Sequence, residues 1–159
     1  MRMYRRLALN FACSNYDKKN VPFYVYDIND GNQEAISSLS VDQRLVESHK
    51  EMINRVEEIK VEARKLDTIL SRINIEKIDF ISIDTEGTEL DVLDGFDISR
   101  WMPKLFVIEN NFQEPKFSEY LSKFGYEFSE RIGVNDFFVR REEGGKRGIP
   151  TQKIGRAHV

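Results

Sequence analysis

Ile78-Asp79-Phe80-Ile81-Ser82-Ile83-Asp84-Thr85-Glu86-Gly87-Thr88-Glu89-Leu90-Asp91-Val92-Leu93-Asp94-Gly95 decides the fold. Its first part, Ile78 to Asp84, is a compact apolar run closed by a carboxylate. A continuous run of this length suits a parallel strand buried on both faces. Thr85-Glu86-Gly87 is a tight connection. Thr88-Glu89-Leu90-Asp91 has the form of a capping box, with the Thr88 hydroxyl taking an orphan N–H at a helix start. Glu89 and Asp91 then serve as acidic cap residues favoured by the helix dipole. Leu90 and Leu93 share a face, and Gly95 is placed to end the helix.

The same grammar repeats downstream. After Pro103, Leu105 to Ile108 reads as a second buried strand ending at Glu109-Asn110-Asn111. A helix follows from about Lys116 to Phe124, with Phe117, Tyr120, Leu121 and Phe124 inward and Gly125 as its stop. Tyr126 to Arg131 and Asp136 to Arg140 are strands joined at hairpin length. Upstream, Leu7 to Cys13 and Val21 to Tyr26 read as strands. Leu45, His49, Met52, Ile53 and Val56 recur at helical spacing, which predicts a surface helix over Val41 to Glu57. Ile59 to Leu66 alternates as a strand, and Asp67 caps a helix from Thr68 to about Ile73. Alternating strands and helices predict an α/β domain with a mostly parallel sheet and right-handed crossovers, closed by an antiparallel hairpin.

Composition bounds the function. The chain has 159 residues, 24 Lys+Arg against 27 Asp+Glu, and a net charge of −3. That length suits one domain, and the mildly acidic balance implies no nucleic-acid partner. No apolar run is long enough to span a membrane. The lone Cys13 fits a reducing, cytoplasmic setting and excludes an internal disulfide. Two histidines and one cysteine cannot compose a His/Cys zinc site. Met1 to Ala12 only loosely imitates a secretory signal, because its apolar part is short and Asn10 interrupts it.

The domain is expected over residues 1–141, followed by a flexible tail over 142–153. Residues 154–159 are set aside: Lys153-Ile-Gly-Arg-Ala-His-Val159 reads as a translated sequencing adapter. His158 then carries no function, and His49 reads as a boundary residue of its helix. Gly144, Gly145 and Gly148 make no phosphate loop, because no helix follows and Pro150 intervenes.

In parallel sheets ligands bind beyond the carboxyl ends of the strands. Asp84, Glu86, Glu109 and Asn110 fall at that edge, and Cys13 and Ser14 follow the first strand onto it. A carboxylate there can hold a metal, accept a substrate proton or orient a cationic ligand. It can also cap a backbone turn. Cys13 has no histidine or glycine-rich turn to make it a nucleophile.

The run from Ile78 to Gly95 resembles the signature of the FkbM-type methyltransferases: an Ile-Asp, an apolar strand, then Asp-x-Glu-Gly-x-Glu-x-x-Val-Leu-x-Gly. Further pieces fall in order, namely Ala12-Cys-Ser-Asn15, Ser37-Ser-Leu39, Leu66-Asp67, Pro103 to Glu109 and Phe124-Gly-Tyr126. The resemblance covers about Leu7 to Arg140. It implies a Rossmann-like class I methyltransferase fold, S-adenosylmethionine as cofactor, and methyl transfer to the hydroxyl of a small molecule, sugar or lipid. It makes Asp84, Glu86, Glu109 and Asn110 the candidate catalytic residues, with Cys13, Ser14 and Asp84 toward the cofactor and no metal. By the family's order the chain starts at about the third strand. The glycine-rich turn and ribose-binding acid are therefore expected upstream of Leu7, and this portion alone is expected to bind the cofactor weakly and to be inactive. Without the resemblance, two other classes fit the residues: a metal-dependent phosphotransfer or receiver-like domain using Asp84 and Glu86, and a non-catalytic Rossmann-like interaction domain.

Overall fold

The computed structural model describes residues 7–28, 37–40, 42–73 and 75–141. The expected tail and adapter residues, 142–159, lie outside them.

The chain is a mixed α/β structure with two four-stranded sheets. The downstream sheet carries the site. In it β5 (Phe80–Ile83) pairs in parallel with β6 (Leu105–Glu109). The connection between them holds two short helices, α3 (Glu89–Asp94) and α4 (Ile98–Trp101). After β6 comes α5 (Lys116–Ser122), then β7 (Tyr126–Ile132) and β8 (Asn135–Arg140). The hairpin turns back so that β8 inserts beside β6 and β7 lies outermost, both pairings being antiparallel. The strand order is therefore β5-β6-β8-β7.

A mostly parallel sheet is thus corrected among the described residues: β5 with β6 is the one parallel pair of this sheet, as β1 with β4 is of the other. The reason is topological. Two-residue hairpins can join only antiparallel strands, and the hairpin supplies half of this sheet.

Period-two alternation sorts the side chains of β6 and β8. Phe106 and Ile108 on β6, and Phe138 on β8, point into the core and are fully buried. They meet Val92 and Leu93 of α3, Ile98 of α4, and Phe117 and Leu121 of α5. Each such side chain contributes about 1.5–3 kcal/mol by leaving water. Phe106 packs edge-on against Tyr126 at 5.0 Å between ring centroids. The Tyr126 hydroxyl donates to the Pro103 carbonyl oxygen at 2.5 Å, so its polar end is satisfied in the core. Gly125 has φ +81, the left-handed conformation expected where a glycine stops a helix. The regular helix ends at Ser122, two residues before the expected Phe124.

The upstream sheet departs furthest from expectation. It runs β1-β4-β2-β3, built from β1 (Ala12–Cys13), β2 (Lys18–Ile28), β3 (Ser37–Ser38) and β4 (Ile53–Arg64). The helix expected over residues 41–57 is only α1 (Gln43–His49), started by Asp42, whose carboxylate accepts from Arg44 N at 2.9 Å. Ile53 and Val56 belong to β4 instead. They sit three apart, which satisfies helical spacing, but pairing with β2 holds them extended from Ile53 onward. β-Branched residues tolerate either state, and tertiary pairing decides. Only Ala12 and Cys13 of the expected first strand pair, in parallel with Ala63 and Arg64.

Asp67 also plays a different part. It lies in the first turn of α2 (Leu66–Leu70), with Lys65 at the cap position. Its carboxylate accepts from Asp97 N at 2.8 Å and Trp101 Nε1 at 2.9 Å, clasping α2 to α4.

Candidate active site

Asp84 and Glu109 stand one residue beyond Ile83 and Ile108, the last residues that β5 and β6 pair with each other. Parallel register therefore sets them side by side, and period-two alternation sends them to one side of the sheet. Glu86 joins them from the following turn. The three carboxyl groups offer oxygens that all lie within 4.8 Å of one another. Asp84 is exposed, whereas Glu86 and Glu109 are partly buried.

The turn that brings Glu86 inward is unusual. Glu86 has φ +57, left-handed for a residue with a Cβ, a conformation disfavoured by about 1–2 kcal/mol. Gly87 follows at φ +112, and a Cβ built there would approach Asp42 Cβ at 3.3 Å. Glycine is required there on both counts.

Glu89 holds this turn from beneath. Its side chain is buried, at 4% exposure. Its Oε1 accepts from Gly87 N at 2.9 Å, Thr85 N at 3.1 Å and Thr85 Oγ1 at 3.2 Å. The Ser38 hydroxyl adds a contact to the Thr85 carbonyl oxygen at 3.2 Å. Thr88 makes no side-chain capping bond to the helix; its hydroxyl reaches back to the Thr85 carbonyl oxygen at 3.4 Å. The expected capping box is therefore corrected: the acid at the first position of α3, rather than the threonine, satisfies the loop's orphan donors. A Thr-x-x-acid pattern read locally assigns the cap to Thr88, and only the fold around 85–87 shows Glu89 doing that job.

Crowding has an electrostatic consequence. Burial, then the charges of Glu86 and Asp84, push the Glu109 carboxyl up from its ordinary 4.5 to about 7. A hydrogen bond from Asn111 opposes the rise. Three carboxylates at this spacing can share a proton or gather round a cationic ligand. Glu109 also reaches a small, open cleft whose walls include Asp42, Glu89, Asn111 and Lys116. Asp84 and Glu86 do not line that cleft.

The other sequence candidates do not join the three acids, although Asn110 shares the cleft wall with Glu109. Asn110 points to the opposite side of β6 from Glu109 and is buried. Its amide nitrogen donates to Asp136 Oδ2 at 2.6 Å and to the Glu114 carbonyl oxygen at 3.0 Å, and its Oδ1 accepts from Glu114 N at 2.8 Å. Arg131 completes the network, donating to Asp136 Oδ1 and the Asn110 carbonyl oxygen, both at 2.7 Å. Asn110 thus ties β6 to the hairpin rather than joining the acids. Ser14 is buried against Gly95 at the far end of α3, its N–H donating to the Arg64 carbonyl oxygen at 3.0 Å. Cys13 is partly buried against the core, and burial raises its thiol. Neither adjoins the three acids. His49 closes α1, its Nδ1 3.0 Å from the Leu45 carbonyl oxygen.

The profile of the methyltransferase FkbM domain matches residues 2–132, which takes in the upstream sheet, all three acids and the downstream sheet as far as the end of β7. The chain belongs to the FkbM methyltransferase family. No curated protein and no solved structure matches it. Within this FkbM domain the acids of the Asp-x-Glu-Gly-x-Glu signature divide by position. Asp84 and Glu86 gather with Glu109 at the strand ends, and Glu89 is buried behind their turn. Among the described residues no helix is long and apolar enough to cross a membrane.

Proposed function

We propose that this FkbM domain is an S-adenosylmethionine-dependent O-methyltransferase of class I, Rossmann-like descent, in which Glu109 takes the proton of the acceptor hydroxyl. The observation that carries the reading is the convergence of Asp84, Glu86 and Glu109 at the carboxyl edge of the parallel pair. S-adenosylmethionine, when bound, supplies an electrophilic methyl group carried on a cationic sulfonium. An anionic rim suits such a cofactor, because its sulfonium and its ammonium group are both positive. Asp84 and Glu86 are the residues we assign to holding that charge.

Glu109 suits the role of base. A hydroxyl is a poor nucleophile until its proton has somewhere to go, and a base with a midpoint near neutral pH combines availability with proton affinity. Glu109, pushed up to about 7, meets that requirement better than a carboxyl at its ordinary value. It would hold the proton that the acceptor hydroxyl gives up. Asn111, hydrogen-bonded to Glu109, would keep the carboxyl turned toward the acceptor. Sugars, lipids and small molecules carry such hydroxyls, and a cytoplasmic setting agrees with the lone Cys13.

The test is made on the whole gene product. Calorimetry should detect S-adenosylmethionine, and a labelled-methyl assay should find transfer to a member of a hydroxyl panel drawn from sugars, lipids and small metabolites. Glu109→Gln is expected to lower kcat by about 10²–10⁴-fold, the usual share of a positioned base. A protein that binds no cofactor, or a Glu109→Gln variant of unchanged kcat, overturns the reading.

A further inference from the structure

We propose that Glu89 is the positioning residue of this site: it gathers Thr85 and Gly87 onto one carboxyl oxygen, locks Glu86 in its left-handed conformation, and so aims Glu86 at Asp84 and Glu109. Its catalytic consequence rests on the methyl-transfer reading; the positioning itself does not.

The argument is one of balance. Left alone, Glu86 would leave φ +57, because L-residues avoid that region by about 1–2 kcal/mol. Bringing three carboxyl groups within 4.8 Å adds repulsion to the strain. Something must outweigh both. The three hydrogen bonds on Glu89 Oε1 flank Glu86 on either side, one residue before and one after. They are formed in a buried place, where hydrogen bonds are electrostatically stronger than in water. No other described side chain bonds both neighbours of Glu86. The reach is specific too: a glutamate at the first position of α3 spans back to residues 85 and 87, and one methylene fewer would fall short.

Two conservative variants separate reach from charge. Glu89→Gln keeps an acceptor oxygen at the same reach and drops the charge. Glu89→Asp keeps the carboxyl and shortens the reach. Carbon-13 NMR titration of the side-chain carboxyls follows Glu109, and thermal denaturation is run in parallel. In Glu89→Asp the Glu109 midpoint is expected to fall by about one unit or more toward the ordinary range, as Glu86 swings away. In Glu89→Gln it should fall only by the small direct effect of the lost Glu89 charge, about half a unit or less. In the methyl-transfer assay Glu89→Asp should lose about 10-fold or more in kcat, the effect of misplacing a charged group by about an ångström, and Glu89→Gln should retain most of it. A Glu89→Asp variant that melts earlier yet keeps the wild-type Glu109 midpoint has lost stability only, and overturns the proposal. So does a Glu89→Gln variant that matches Glu89→Asp. Should Glu89→Asp fail to fold, amide exchange of the wild-type protein decides: Thr85 and Gly87 N–H groups should exchange at least about 100-fold more slowly than open loop amides, and rapid exchange overturns the clasp. Absence of methyl transfer in the wild type would sink the functional reading while leaving the titration arms intact.

Discussion

Glu109 makes the sharpest claim about a single residue. Its folded midpoint of about 7 lies above its ordinary 4.5, so the native state binds more protons than the unfolded chain between those values. Stability therefore falls as pH rises through that window and levels off above about 7. Glu109→Gln removes the dependence. It should unfold at higher denaturant than wild type at pH 8, by about 1–2 kcal/mol once solvent screening of a half-exposed group is allowed for, with little difference at pH 4. Urea titrations at the two pH values check this. If Glu109 serves as the proposed base, wild-type methyl transfer should rise with pH through about 7, as its carboxyl loses its proton. Glu86→Gly is the complementary case. Glycine accepts φ +57 without penalty, so thermal stability should hold or rise by up to about 1 kcal/mol. Methyl transfer should fall by about 10-fold or more with the loss of the carboxylate, the pattern of strain held at a working site.

At the scale of elements, β6 shows what periodicity can and cannot tell. Asp84 and Glu109 as strand-end acids were legible from two apolar runs of matching form. Asn110 looked equivalent to Glu109 because it is its neighbour in sequence. Alternation sends successive side chains to opposite faces, so Asn110 instead meets Asp136 inside. That network staples the β7–β8 hairpin to the end of β6. Asp136 is 6% exposed and its carboxylate takes both Asn110 and Arg131. Asp136→Ala takes one acceptor from the Arg131 guanidinium and one from the Asn110 amide, and should lose about 1–3 kcal/mol by chemical denaturation. The error over residues 41–57 has a different origin. Ile53 and Val56 fit a helix locally, and the strand that claims them, β2, lies far back in the chain.

For the molecule as a whole, Gly95 is a junction. It ends α3, and a Cβ there would drive into the Ser14 carbonyl oxygen of the segment after β1. Backbone rather than a flexible side chain stands in the way, so relief requires moving the upstream sheet off α3. Gly95→Ala should lower stability by about 2–4 kcal/mol, the range of overpacked and strained sites, measurable as an earlier thermal transition. Gly95 looked like a helix stop in the sequence, and it is one. Its second duty, as the place where two segments touch, has no local signature.

Legible in the residues alone is the local grammar: the apolar strands at β5 and β6, the acids that close them, the hairpin, the glycines after the helices and the family signature. These follow from short-range periodicity and stereochemistry, which act between residues a few positions apart. Tertiary structure alone decided which acids meet, which face Asn110 takes, how far β4 extends and why Glu89 is buried. Those outcomes depend on strand register and on contacts between distant segments, whose energies are settled only when the chain has closed on itself.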